Sequence, residues 1–245
     1  RGGAAGRGGA ELACDVAVIG GGLAGAAAAL AARRAGARVL VVRRAWGATA
    51  LAGGTFDLAP DPLAGPAAPL GERRPLRACV EAIARTRPGH PWSILGDRID
   101  EALRALGAAK DASGGRMRFV DPGEENRCLL TPIGTLKATA GGLDSVLDGD
   151  LLGGGRVGVV GLGRHPRWDA ALLAAALDEL AAHAGLPVRA RAVAIDWLAR
   201  VDDFERRDHE FAARIEADPE GFAASIRRAL VPGIDRLLLP PLIGR

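Results

Sequence analysis

The feature that most constrains this chain is a run of glycines set between an apolar strand and a helix near its start. Residues 14–19 read CDVAVI, short, apolar and valine-rich, the pattern of a buried parallel strand. Gly20, Gly21, Gly22, Leu23, Ala24 and Gly25 follow and open onto AAAALAARRAG, a strong helix former with Gly36 placed as its C-cap. ARVLVV then supplies a second apolar strand. A strand, glycine turn, helix and strand within about thirty residues form the unit that carries a dinucleotide site.

Gly20, Gly22 and Gly25 fit G-x-G-x-x-G, each for its own reason. The first permits the tight turn off the strand, the second lets a phosphate approach the backbone, and the third lets the helix pack on the strands. The helix amino end adds unpaired N–H groups and the positive end of its dipole. A phosphate-bearing cofactor is expected here. The second strand ends in Val41, Val42, Arg43 and Arg44, where an adenosine cofactor ordinarily meets an acidic side chain that holds the ribose. Arginines at that place suit a ribose 2'-phosphate, or a flavin mononucleotide that has no adenosine ribose to hold; a solvated strand end is the plain alternative.

Composition excludes several other classes. At 245 residues the chain has room for one large or two ordinary domains. No run of 18 apolar residues lacks a charge, so no transmembrane helix is expected. Cys14, Cys79 and Cys128 are odd in number and far apart, which argues against a disulfide framework or a metal cluster and for a reducing compartment. The net charge is +3, but the cations are scattered arginines, with Lys110 and Lys137 the lysines, and aromatics make up 4% without a basic–aromatic stripe. Nucleic-acid binding is not expected.

Along the chain, RGGAAGRGGA reads as part of a disordered leader, residues 1–12, and both ends of the sequence look cut. A Gly, Ala and Pro rich loop region runs to residue 71. Helices are predicted over 75–86 and 92–106, broken by Pro88 and Gly89, and an antiparallel meander over 116–140. A second β-α-β pattern begins near residue 155, and two amphipathic helices follow, around Glu210 and over 222–230. The division expected is 13–150 for a Rossmann-like cofactor domain and 151–245 for a second, incomplete α/β domain.

Five blocks in this order carry a resemblance: DVAVIGGGLAGAAAALAARRAGARVLVVRR, GGTFDL, HPWSILG, TPIGTLKAT and VGVVGLGRHPRWDAALLAAAL. Together they resemble the B subunit of the anaerobic glycerol-3-phosphate dehydrogenase, whose chains carry close variants of HPYSLLG and TPLGTLRST. The resemblance covers most of residues 13–245 and loosens from about 200 onward. It implies a flavoprotein subunit with a Rossmann-like FAD/NAD(P)-binding fold and an inserted second α/β domain. It further implies partners, a catalytic A subunit and a membrane-associated iron-sulfur C subunit. Together these oxidise sn-glycerol 3-phosphate to dihydroxyacetone phosphate and pass electrons to the quinone pool, in the cytoplasm at the inner face of the cell membrane. The family is described as binding FMN, with FAD the alternative. Its chains run on to a late Gly-rich segment beyond the length read here, so this sequence is expected to be C-terminally truncated.

The same blocks nominate further residues. Ala52, Gly53, Gly54 and Thr55 match the small-residue segment after the second strand, where backbone N–H groups could meet a flavin. His90 lies in the HPWSILG block and could move a proton during alcohol oxidation, although most lone histidines pack or face solvent. Thr131, Gly134, Thr135 and Lys137 could present hydroxyls and an ammonium to a phosphate or a flavin carbonyl, or form a plain hairpin. Gly161, Leu162, Gly163 and Arg164 repeat the strand-to-helix turn in weaker form. Trp46, Trp92, Trp168 and Trp197 read as packing residues. Two other functions stay open: an independent FAD or NADP-dependent oxidoreductase using Arg43 or Arg44, and a scaffold subunit without cofactor.

Overall fold

The computed structural model describes residues 12–45, 47, 53–61, 63–65, 68, 70–112, 114, 116–163, 168–195, 197 and 208–240, with 106–112 and 208–209 as backbone only. Most of the expected leader, together with Trp46, Ala52 and Arg164, lies outside the described residues. The chain divides into two compact units, residues 1–53 and 54–245.

The first unit is the predicted strand, helix and strand. β1 (Val16–Ile19) pairs in parallel with β2 (Val39–Val42) in the register Val16 to Val39 through Ile19 to Val42. Between them runs α1 (Leu23–Arg34), rich in alanine and free of β-branched residues. It ends in a Schellman motif: the Gly36 N–H donates to the Arg33 carbonyl and the Ala37 N–H to that of Ala32, with Gly36 at φ 87°. Arg33 and Arg34 sit at the negative end of the helix dipole. Asp15 ties the strand entrances together, accepting from the Arg38 backbone N–H at 2.8 Å and from its guanidinium at 3.0 Å.

One expectation fails in this unit. The apolar strand was expected to be buried, yet in β1 only Val18 is buried, and Ile19, Val41 and Val42 are exposed. The physical reason is coverage of the faces: among the described residues of this unit α1 is the one helix beside the two strands, so one face of the sheet has no helix of this unit over it.

Among the described residues the second unit holds three sheets. β3 (Thr55–Phe56) and β4 (Met117–Phe119) flank β7 (Gly141–Leu143), all antiparallel. β5 (Arg127–Leu130) and β6 (Leu136–Thr139) form a separate hairpin. The predicted meander over 116–140 is therefore corrected, since β4 leaves the hairpin to pair with a strand beyond that range. Gly141 makes this possible: a Cβ there would lie 2.4 Å from the Phe119 ring.

The predicted helix over 75–86 is α2 (Leu76–Thr86), whose Leu76, Val80 and Ile83 enter a core with Leu103 and Val120. The single helix predicted over 92–106 is broken. α3 (Pro91–Leu95) ends at Gly96, with φ 55°, and after a 3-10 turn α4 (Ile99–Ala112) begins. α5 (Asp144–Leu147) follows β7.

The third sheet is the second β-α-β pattern. β8 (Gly155–Gly161) lies between β9 (Val188–Ala194) and β10 (Arg236–Leu238), all parallel. α6 (Ala170–His183) connects β8 to β9. Burial on both faces explains the apolar run. Val157 and Val159 pack with Leu177 and Leu173 of α6, while Val160 packs with Phe211 and Ala229. Those last two belong to α7 (Asp208–Ala217) and α8 (Pro219–Ala229), the predicted amphipathic pair. Trp168 and Trp197 pack as expected, the first donating to the Val160 carbonyl at 2.8 Å.

Candidate functional site

The glycine turn has the geometry its spacing implies. Gly20 leaves β1 at φ 124°, a conformation closed to L side chains, and its N–H still donates to the Val42 carbonyl at 2.9 Å. A Cβ on Gly25 would sit 2.3 Å from the Gly20 carbonyl oxygen, so helix and turn touch through backbone. Gly22 is the N-cap of α1 and offers no side-chain acceptor to the first-turn N–H groups, and no acidic residue stands in that turn. Leu23 and Ala24, the next residues of the motif, are exposed.

Around the turn lie residues from the end of β2. A Cβ on Gly21 would meet the Ala45 carbonyl at 2.7 Å and the Arg43 stem at 2.8 Å, so the aliphatic part of Arg43 rests on the turn. Arg44 is exposed. Gly47, at φ 72°, also approaches: a Cβ there would lie 3.1 Å from Gly22 Cα. Gly47 was missed in the sequence because it stands outside the hexapeptide, and only its distance of five residues past β2 hints at it.

α6 gives an internal comparison. It too follows a parallel strand and a glycine turn, with Gly163 at φ 54°. Its N-cap Asp169, however, accepts from the N–H groups of Ala171 and Leu172, both at 3.0 Å. A carboxylate already meets the donors an anion would need, so Gly161 and Gly163 serve a structural turn. The start of α1 differs: its N-cap is Gly22, which has no side chain, and its first turn holds no acidic residue.

In the second unit two nominated residues come together. The Lys137 ammonium donates to the Thr55 hydroxyl at 2.6 Å and to Asp57 Oδ2 at 2.9 Å. Lys137 therefore does not act with the Thr131–Thr135 turn, whose hydroxyls pair with each other at 2.8 Å. Asp57 was not nominated, although it is the aspartate of the GGTFDL block. Gly54, at φ 76°, lies against Leu143, and its carbonyl accepts from the Leu143 N–H at 3.0 Å. A Cβ on Gly53 would meet nothing within 4 Å. His90 caps α3, its Nδ1 accepting from the Trp92 N–H at 3.2 Å, while the Trp92 indole donates to the Leu58 carbonyl at 3.0 Å. That imidazole holds a helix start and a packing tryptophan in place.

The model of the family described as FAD binding domain matches residues 15–222. The chain belongs to the FAD binding domain family. Membership gives it a Rossmann-type α/β fold, of which the β1–α1–β2 unit is the opening part. Among curated relatives of this family member is the B subunit of the anaerobic glycerol-3-phosphate dehydrogenase of Haemophilus influenzae strain PittEE. It is 30% identical over 173 residues, 66% of this chain and 38% of the relative. The protein of the same name from Vibrio vulnificus is 33% identical over 128 residues, 51% of this chain and 27% of the relative. The chain thus spans well under half the length of these relatives. No solved structure matches. No helix among the described residues is long and apolar enough to cross a membrane.

Proposed function

We propose that this chain is part of a flavoprotein subunit that works in the oxidation of sn-glycerol 3-phosphate to dihydroxyacetone phosphate. The observation that carries the reading is the α1 amino end: a G-x-G-x-x-G turn with backbone contact at Gly25, a glycine N-cap and no acidic residue in the first turn, in a chain that matches an FAD binding domain. Gly20 to Gly25 hold a phosphate of the flavin, and the Arg43 stem closes one side of the turn. The bound flavin supplies the acceptor for the hydride equivalent removed from the substrate carbinol. Thr55 and Lys137 offer a hydroxyl and an ammonium to the same chemistry, with Gly53 and Gly54 leading into that strand. His90 acts as a cap.

The cofactor is FMN or FAD. Arg43 in place of a ribose-binding acid favours FMN, and the family description favours FAD. The subunit name of the relatives supports an assembly, which we assign to a catalytic A subunit and an iron-sulfur C subunit that carries electrons to the quinone pool at the inner face of the membrane. The flavin domain over 13–150 and second domain over 151–245 belong to the same proposal.

The natural full-length protein, purified with its partners, tests this. It is expected to be yellow, to release one flavin on heating, and to bleach anaerobically on addition of sn-glycerol 3-phosphate. Colourless protein that still assembles with partner subunits would make it a scaffold. Tight NADPH binding lost in Arg43→Ala would instead make it an independent oxidoreductase.

A further inference from the structure

The Lys137 ammonium is held from two directions by one short segment. Thr55 and Asp57 are two residues apart on the extended chain at β3, so their side chains fall on one side, while Phe56 between them turns to the other and meets Phe119 with ring centroids 5.2 Å apart. Lys137 comes from β6, opposite Leu129, in a different sheet. An ammonium has three N–H groups. Thr55 Oγ1 and Asp57 Oδ2 take two, at 2.6 and 2.9 Å.

Stability does not account for this arrangement. The Lys137 and Asp57 side chains are 32% and 46% exposed, and an exposed ion pair adds little while it freezes a long, flexible side chain. What the two acceptors achieve is direction. With Thr55 and Asp57 engaged, the third N–H is fixed, and the partial exposure leaves it approachable. Asp57 keeps a second carboxylate oxygen for which no partner exists among the described residues.

We infer that Asp57 is a positioning residue: with Thr55 it aims the remaining N–H of Lys137 at an anionic oxygen of a bound ligand. Two sources share that chemistry, the phosphate of the substrate and the phosphate or ring oxygens of the flavin. The inference rests on the flavoprotein reading above.

The test uses the full-length subunit in its complex, as wild type, Asp57→Asn, Asp57→Glu, Lys137→Met and the double variant Asp57→Asn/Lys137→Met. Melting curves identify any variant that fails to fold, and Asp57→Glu serves where Asp57→Asn does. Two arms separate the sources: flavin per chain with its visible spectrum, and the KM for sn-glycerol 3-phosphate. Asp57→Asn and Lys137→Met are expected to shift the same arm, each by roughly tenfold. The double variant should be no worse than Lys137→Met, and Asp57→Glu should recover part of the loss. Multiplicative losses in the double variant, or melting changes with both arms unmoved, overturn the inference. A wild-type complex without flavin or substrate turnover would instead overturn the function on which it rests.

Discussion

Arg74 grips both oxygens of Asp61, donating from Nε at 3.3 Å and from Nη2 at 2.9 Å. Asp61 is almost fully buried and accepts two more bonds, from the backbone N–H groups of Leu63 and Glu72 at 2.9 and 3.0 Å. The loop ahead of α2 is wound around this carboxylate. Gly71, at φ 61°, comes so close that a Cβ would lie 2.6 Å from Asp61 Cγ.

Removing the carboxylate should therefore loosen the whole loop. Asp61→Ala strands the Arg74 guanidinium and two backbone donors, and the expected loss is about 3 kcal/mol, read as a lower urea midpoint. Acid should reach the same contact. Burial alone would raise the Asp61 pKa, but the bonds from Arg74 and the two N–H groups outweigh it and hold the value below the usual carboxylate range. A depressed folded value means the contribution is full above about pH 4 and fades as the pH falls through the folded value. The gap in stability between wild type and Asp61→Asn should shrink on acidification below that point. A gap that stays constant with pH would refute this assignment.

Gly25 sets two rules against each other. Glycine inside a helix costs about 1 kcal/mol relative to alanine, so Gly25→Ala would be stabilising on propensity alone. The contact argues otherwise, because the new Cβ would lie 2.3 Å from a backbone oxygen that cannot rotate away. The expected outcome is a lower melting temperature and lost flavin in the full-length protein. Gly123→Ala, where a Cβ would meet nothing within 4 Å, should change neither.

These two sites show what was legible in the sequence. The β1–α1–β2 unit could be read because strand, turn and helix signals lie next to each other and each glycine has a local reason, down to the C-terminal Gly36. The second β-α-β unit could be read for the same cause. The pairing of β4 with β7 could not, since it depends on Gly141 admitting the Phe119 ring, a contact across 22 residues that leaves no periodic trace. Lys137 was nominated with its neighbours in sequence, Thr131 and Thr135, whereas its partners lie about eighty residues away. Asp61 gave no signal because a buried carboxylate reads like a surface one until its donors are known.

Gly141 gives a test of the strand crossing. Gly141→Ala places a methyl 2.4 Å from Phe119 Cδ1 and 2.9 Å from the Arg118 carbonyl oxygen. Overpacking at such a contact costs about 2 kcal/mol. Trimming the ring in Gly141→Ala/Phe119→Leu should return part of that loss, so the two substitutions are expected to be less than additive in a urea double-mutant cycle. Strict additivity would mean that the backbone oxygen alone resists the methyl.

The three cysteines should separate by reactivity. Burial, with a smaller contribution from Asp150, pushes the Cys128 thiol up to about 12, and the Arg73 charge offsets only part of this. At pH 8 a thiol with that pKa is about one part in ten thousand thiolate, the form that attacks an alkylating reagent. Cys79 is likewise buried, with its pKa raised by burial, and its thiol donates to the Arg74 carbonyl at 3.6 Å. Cys14 lies nearer the surface, just ahead of β1. Brief treatment with iodoacetamide at pH 8, followed by peptide mapping, should find label at Cys14, with Cys79 and Cys128 modified only after denaturation. Native labelling of Cys128 at the Cys14 rate would show that the sheet around β5 opens far more readily than its buried position allows.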